Sequence, residues 1–499
     1  MSGLTIRRIG VAAGPILAVL VWALLPDAYA GPDGKTALLG TGARSALAMM
    51  AWMATWWMTE AVEIEVTALF PLVVFPLAGV ASFQETAFPY ASDVVFLFLG
   101  GFVLALAVER WGLARRIALW ILRLAGTRPA GLVAGFMAAT ASLSLFISNT
   151  ATAAMMVPIA IGVIDLLGKK RSEEDPALRN FAVALLLAIA YSASIGGVGT
   201  LVGTPPNGIL VRFILQTTGK EVSFAGWMLI GMPFVVVFLP LAWLLLTRVL
   251  YPCRLPDLGD TRAFIEEELR GLGALSRGER TVLGVLGATV GLWMLRPLLV
   301  GARLGGSAPL AGLTDGGVAM LAALALFLAP VDLSKGIRAM DWKTATRLPW
   351  GVLVLFGGGL SLAAAIESTG AAAFLAAAMG NLRGLPAMVV VAAVTTATVF
   401  LSEVTSNTAQ VALMLPILAA LAPSLGTHPF LLMVPCTLGA SSAYMMPVGT
   451  PPNAIVFGTG KLRIGQMVRA GFWLNLAGIV VIVALTRLLV VPLLGVRLR

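Results

Sequence analysis

Two uncharged tripeptides carry the chemistry this sequence offers. Ser148-Asn149-Thr150 and Ser406-Asn407-Thr408 stand 258 positions apart, each inside a long apolar run. Hydroxyl and amide oxygens are hard neutral ligands, and with carbonyls freed from a helix they suit a hard cation such as Na+. A second pair of motifs lies downstream: Gly203-Thr204-Pro205-Pro206-Asn207 recurs as Gly449-Thr450-Pro451-Pro452-Asn453, at an offset of 246. Proline removes a backbone donor and clashes with the preceding turn, so each double proline breaks a helix. A broken helix ends in partly negative carbonyls on one side and partly positive amides on the other. One such motif can therefore hold a cation with its carbonyls and an anion with its N–H groups. No Lys or Arg lies inside any of the four motifs. An anion bound there would depend on co-bound cations and helix amides for charge balance, and its affinity should collapse without the cation.

Ser, Thr and Asn are also preferred helix N-caps, and capping alone would explain one such tripeptide. Two at matching positions, each followed by a double-proline break, point to a built site. The register between them is gapless. Gly100, Gly101, Glu109, Gly112, Met156, Pro158 and Ile159 meet the same residue type 258 positions later, at Gly358, Gly359, Glu367, Gly370, Met414, Pro416 and Ile417. That is a repeated structural unit. Glu403, three residues before Ser406, is a candidate for tuning the second tripeptide, beside a purely structural role. Glu109 and Glu367 each precede a glycine at a helix end and read as structural. Glu60, Glu63 and Glu65 are candidate coupling carboxylates, but they adjoin Trp56-Trp57 at a segment boundary, which favours headgroup depth.

Composition sets the class. The 499 residues are 59% hydrophobic and 12% charged, with mean hydropathy +0.94, too few charges to cover a soluble surface. The net charge of +10 raises the question of nucleic acid, but no basic patch is interleaved with aromatics, so no nucleic-acid partner is expected. Cys253 and Cys436 make neither a disulfide framework nor a metal site. The one histidine, His428, sits between Thr427 and Pro429 and reads as a loop residue. With no nucleophile–base pair and no metal cluster, an enzyme is not expected.

The elements that must position the motifs follow from apolar windows of about 20 residues, the span of a bilayer. Residues 1–37 hold a first span, near 10–30, read as uncleaved although Arg7-Arg8 precede it. Residues 38–252 form one repeat: spans at 38–58 and 62–80, one starting near Asp93, a stretch at 132–166, a broken span at 180–214 and a last one ending near Arg248. The 132–166 stretch is too long for one span and has Ser142, Ser144, Ser148, Asn149, Thr150 and Thr152 in its middle. It reads as a re-entrant hairpin, since irregular backbone at membrane depth survives only when buried in protein or lining a wet cavity. Residues 253–280 are a charged linker. Residues 281–499 repeat the plan, with spans near 281–300, 316–331 and 349–380, a hairpin at 387–422, a broken span at 430–458 and a last span at 467–495. The fold class is all-α and polytopic: about eleven transmembrane helices plus two re-entrant hairpins.

Five full spans per repeat, an odd number, require the second repeat to start on the opposite face. The repeats are thus expected to be inverted, the sequence pointer to a secondary transporter with its site near the midplane. Lys and Arg agree: 24 of the 34 fall in segments 7–8, 110–128, 169–179, 248–280, 335–347 and 461–469, all on one side if the N-terminus is cytoplasmic. Outside loops hold few, for example Lys35, Lys220, Arg303 and Arg383.

At these residues the chain resembles the divalent anion/sodium symporter family, which carries di- and tricarboxylates or sulfate. The resemblance rests on Trp57-Met58-Thr59-Glu60-Ala61, both Ser-Asn-Thr tripeptides and the run from Ser442 to Gly458, and covers about residues 40–495. It implies a homodimer whose protomers each have a scaffold domain and a transport domain that moves like an elevator. By matching position it implies one sodium site at Ser144, Ser148, Asn149 and the Gly203 carbonyl. A second would use Ser402, Asn407 and the carbonyls of Thr405 and Gly449. Substrate carboxylates would meet Asn149, Thr150, Thr204, Asn407, Thr408, Thr450 and Pro451. In many relatives alanine stands where this chain has Gly449, which keeps the carbonyl but loosens the loop.

The expectation is a sodium-coupled importer of a dicarboxylate such as succinate in a bacterial-type inner membrane. A sodium-independent carboxylate exchanger, a carrier of citrate or sulfate, and a channel are the alternatives the residues leave open.

Overall fold

The computed structural model describes residues 3–31, 35–169, 175–256, 258–303, 307–378 and 386–494. Arg383 and positions 170–174, assigned above to loops, lie outside them. Helix dominates, as expected where a segment must satisfy its own backbone polar groups. Among the described residues, eight helices are long and apolar enough to cross a membrane. Several others are apolar but shorter, among them Pro129–Ser144, Asp315–Leu328, Ala387–Ser402 and Phe430–Ala440. The two arms of the first hairpin differ in this respect: Asn149–Gly168 is one of the eight, and Pro129–Ser144 is among the shorter helices.

Two windows read as spans divide. Residues 62–80 fold as Ile64–Thr67 and Phe70–Leu77, the second carrying proline in its first turn and followed by Gly79 at φ +65°. The window 349–380 splits at Gly370, φ +77°, into Trp350–Ser368 and Ala371–Ala378. The fold is not helix alone: short antiparallel ladders pair Ala28–Ala30 with Thr36–Leu38, and Pro330–Asp332 with Ile337–Arg338. The linker at 253–280 holds a helix, Gly259–Gly271. Buried Arg116 fastens its end, through Nε to Glu279 (2.6 Å) and through its terminal nitrogens to the carbonyls of Gly273 (2.8 Å) and Leu272 (3.0 Å).

The repeated motifs sit in matching elements. The first hairpin is Pro129–Ser144, a turn, and Asn149–Gly168; the second is Ala387–Ser402, a turn, and Asn407–Ser424. Pro176–Gly197 packs on both arms of the first and Phe430–Ala440 on both arms of the second. After each break the chain crosses over. Pro205–Thr218 packs on Asn407–Ser424, and Pro451–Gly458 packs on Asn149–Gly168. Each half therefore completes the other's hairpin.

Glycine permits the same exchange outside the hairpins. A Cβ on Gly100 would lie 2.4 Å from the Ala319 carbonyl oxygen, and one on Gly358 would lie 2.3 Å from that of Ala68. Asp93–Arg110 and Trp350–Ser368 thus each meet a segment of the opposite half backbone to backbone, which only a residue without a side chain allows.

Candidate functional site

Each tripeptide opens the second arm of its hairpin. Ser148 Oγ accepts the Ala151 N–H at 3.2 Å, and Ser406 Oγ accepts the Ala409 N–H at 3.5 Å. Both serines are N-caps, as their type favours. Asn149, Thr150, Asn407 and Thr408 then occupy first turns, where backbone N–H groups lack helical partners and can face an anion.

The two breaks have the same geometry. Thr204 (φ −146°, ψ 137°) and Thr450 (φ −147°, ψ 147°) are extended, and proline follows each at the first helical position, where its missing N–H loses nothing. The asparagine after each double proline folds back on the unwound chain. Asn207 Nδ2 donates to the carbonyls of Gly197, Val198 and Thr200 at 3.3, 3.2 and 2.7 Å. Asn453 Nδ2 donates to those of Ala443 and Met446 at 3.2 and 3.0 Å. At the offset of 246, Ala443 corresponds to Gly197 and Met446 to Thr200, so two of the three contacts of the first brace recur in the second. Sequence reading placed neither asparagine in the site, although their shared place in the motif was the available signal.

Around the first tip, acceptors outnumber donors. Ser144 Oγ lies 2.6 Å from Asn149 Oδ1 and 2.7 Å from the Ala193 carbonyl oxygen; one hydroxyl proton cannot serve both. A Cβ on Gly197 would come within 2.4 Å of Asn149 Oδ1, and one on Gly203 within 2.4 Å of the Gly197 oxygen and 2.8 Å of the Ser144 oxygen. Around the second tip, Ser402 Oγ donates to Val399 (2.7 Å) rather than toward Asn407, and Thr405 Oγ1 donates to Leu401 (2.9 Å). Asn407 Oδ1 and Thr450 Oγ1 are buried with no hydrogen-bond partner, as are Asn207 Oδ1 and Asn453 Oδ1. Buried oxygens are normally paired. A cluster of orphaned or shared acceptors is a fit for a hard cation.

One cavity of about 690 Å³ joins these parts. Its wall includes Ser148, Asn149, Thr150, Gly203 and Thr204 from one half and Thr405, Ser406, Asn407, Thr408, Gly449, Thr450 and Pro451 from the other. Ser144 and Ser402 are fully buried and are not part of the wall. The apolar remainder includes Phe102, Leu106, Val352 and Val404, the mixture expected of a small-molecule site.

A cation also reaches this wall: Arg347 lines the cavity, together with the carboxylates of Glu60 and Glu109. The four motifs held no such residue because Arg347 arrives from a separate loop. Asp341 holds the start of that loop: its Oδ1 accepts the Thr344 N–H at 2.8 Å and its Oδ2 meets Arg110 at 2.6 Å. The Thr344 N–H, with the Arg110 guanidinium, keeps the Asp341 carboxyl below the ordinary carboxylate range. Glu60 is engaged by Arg7 at 2.6 Å.

Residues 16–496 match the family described as the sodium:sulfate symporter transmembrane region. This chain belongs to that family. Among its relatives is the sodium-dependent dicarboxylate transporter SdcS of Staphylococcus saprophyticus, 42% identical over 493 residues, covering 98% of this chain and 92% of that protein. SdcS of Staphylococcus aureus is 41% identical over 458 residues, covering 91% and 87%. Two solved structures share the fold. The Alcanivorax borkumensis YdaH transporter has a TM-score of 0.60 at 16% identity, covering 97% of this chain and 98% of that one. Neisseria gonorrhoeae MtrF has a TM-score of 0.60 at 13% identity, covering 97% and 94%. As a sodium:sulfate symporter family member with several apolar spans, the chain is a multi-pass membrane protein. All four repeated motifs fall inside the matched region.

Proposed function

We propose that this symporter couples sodium entry to the uptake of dicarboxylates, succinate-like four-carbon acids, across the plasma membrane. One observation carries the reading: both tripeptides and both breaks line a single cavity, so cation ligands and anion donors from two halves converge. The SdcS relatives support the choice of dicarboxylate over sulfate.

In this reading the orphaned oxygens of Asn407 and Thr450, and the crowded acceptors of Ser144 and Asn149, take up sodium. The freed amide ends at Asn149, Thr150, Asn407 and Thr408 take up the substrate carboxylates, with Thr204, Thr450 and Pro451 closing around them. The carbonyls of Gly203, Thr405 and Gly449 complete the two cation sites, with Ser148 and Ser402 as further ligands. Bound sodium then offsets the charge of the anion, and coupling follows from electrostatics.

The repeats lie in opposite orientations, with the N-terminus cytoplasmic. The hairpins and broken helices, which pack on one another across the halves, move as one transport unit against a scaffold drawn from both repeats. The working form is a homodimer. Support for this arrangement is the odd span count, the bias of Lys and Arg, and the family resemblance.

The test is uptake of labelled succinate by proteoliposomes with and without an inward sodium gradient. Uptake should require the gradient; equal uptake in both removes the coupling. Counterflow driven by internal substrate without sodium would instead identify an exchanger. Asn149→Ala and Asn407→Ala should each abolish uptake, and transport retained in both variants would overturn the site.

A further inference from the structure

Among the positions at which the two hairpin tips differ, one differs in charge. Glu403 lies in the turn of the second hairpin and is 4% exposed. Its Oε1 accepts the N–H of Tyr444 (2.8 Å) and of Met445 (2.9 Å) and an amide hydrogen of Asn475 (2.7 Å). Its Oε2 accepts the N–H of Met446 (2.9 Å) and shares that of Met445 (3.0 Å). Among the described residues, no Lys or Arg forms an ion pair with this carboxylate. It is compensated by N–H dipoles alone, and three of the four donors are backbone groups of the second break.

At the offset of 258 its counterpart in the first hairpin is Leu145. There the tie between tip and break runs the other way: Thr200 Oγ1 donates to the Leu145 carbonyl. Thr200 is the counterpart of Met446. Val198 and Gly199, which match Tyr444 and Met445, give their N–H groups to Ile195 (3.3 Å) and Gly196 (2.9 Å) in local turns. The same two positions are fastened in both halves, once by a neutral hydroxyl and once by a buried carboxylate.

We propose that Glu403 is a positioning residue for the second cation site and makes the two sites unequal. It clamps the unwound backbone of Tyr444–Met446, and so places the Gly449 carbonyl and Thr450. Contact is close, since a Cβ on Gly449 would lie 3.2 Å from both the Glu403 carbonyl oxygen and Oε2. It also puts a fixed negative charge beside the site of Ser402, Thr405, Asn407 and Gly449 that the site of Ser144, Asn149 and Gly203 lacks. In an effective dielectric of about 20, a charge anywhere within about 10 Å of a bound cation changes its affinity by at least about tenfold. The second site is therefore the tighter one and fills first. This inference rests on the sodium-coupled reading above.

The experiment compares Glu403→Gln and Glu403→Asp in full-length protein in proteoliposomes. The glutamine keeps the length but removes the charge and replaces one acceptor oxygen with an NH2 donor facing backbone N–H groups; the aspartate keeps the charge and both acceptors and shortens the reach. Glu403→Gln should raise the sodium concentration for half-maximal succinate uptake by about tenfold. Glu403→Asp should stay nearer the unmodified protein in its sodium requirement. Both variants losing rate equally, with unchanged sodium activation, would overturn the electrostatic role. The clamp is read separately, by hydrogen exchange at Tyr444–Met446 in detergent, which should quicken in Glu403→Gln. Unchanged exchange there overturns the positioning role whatever uptake does. Sodium-independent uptake by the unmodified protein would overturn the coupled reading and leave the clamp standing.

Discussion

The two hairpin tips share a motif and differ in how tightly backbone encloses them. At the first, Gly203 faces the carbonyl oxygens of Gly197 and Ser144 at 2.4 and 2.8 Å from where a Cβ would be, and Gly197 leaves room for Asn149. At the second, the nearest approach to Gly449 is 3.2 Å, and one of the atoms there is a side-chain oxygen of Glu403. Ala443 stands where the first half has Gly197. The first tip is built from backbone in contact with backbone; the second is built around a carboxylate. A duplicated motif can thus keep its ligand types while its supports diverge, because support needs only to hold the chain and can do so with any satisfied polar group.

The sharpest way to break this comparison is a methyl group at each glycine. Gly203→Ala should reduce succinate uptake by about 100-fold, since backbone must shift by a substantial part of 1 Å and misplacement on that order has that effect. Gly449→Ala should leave most activity, because a Cβ there would meet the Glu403 carbonyl oxygen and Oε2 at 3.2 Å, which calls for a shift of only a few tenths of an ångström. Equal losses in the two variants would show that the halves are enclosed alike.

Next in size are the braces. Asn207→Ala and Asn453→Ala each strip buried carbonyls of a donor, which costs about 1–3 kcal/mol. Thermal unfolding in detergent should show the larger loss for Asn207, which serves three carbonyls against two. A smaller effect belongs to Thr200→Val, which removes the hydroxyl tie to Leu145 and the acceptor of the Gly203 N–H (3.2 Å); it should lower stability by about 1 kcal/mol and move sodium activation less than Glu403→Gln does. That outcome, set beside the sodium shift of Glu403→Gln, separates a neutral fastening from a charged one.

The least local effect should come from Arg347→Gln. An exposed guanidinium on the cavity wall attracts the anion without contacting either tip, so KM for succinate should rise about threefold, and less at high salt where such charges are screened. Initial-rate measurements at two ionic strengths check this. A loss of maximal rate instead would place Arg347 in the conformational step.

How much was legible beforehand follows from the range of each interaction. Ser148 and Ser406 as helix starts, and Pro205 and Pro451 as first helical residues, are local matters, and local chemistry is written in neighbouring letters. The repeat is equally plain, because a gapless offset of 258 needs no structure to see. Arg347 was not legible: it lies far in sequence from each motif it shares a cavity with, and nothing in its own surroundings says where the loop ends up. Glu403 was visible as a candidate, but its partners at 444–446 and 475 were not, since a carboxylate held by backbone N–H groups leaves no complementary residue type in the sequence. The windows at 62–80 and 349–380 misled for another reason: hydropathy reports that a segment avoids water, and not whether its helix is continuous.

The amino-acid sequence by itself determined the class of this protein, its duplicated plan and the types of ligand it presents. Those follow from apolar length, proline and glycine placement, and side-chain oxygen chemistry, which are properties of short stretches. Only the tertiary structure decided that each half completes the other's hairpin, that the four motifs border one cavity, and that a single carboxylate sets the second tip apart from the first. Those depend on packing between segments hundreds of residues apart, where the contact that forms is chosen by shape and by unsatisfied backbone groups, neither of which a linear pattern records.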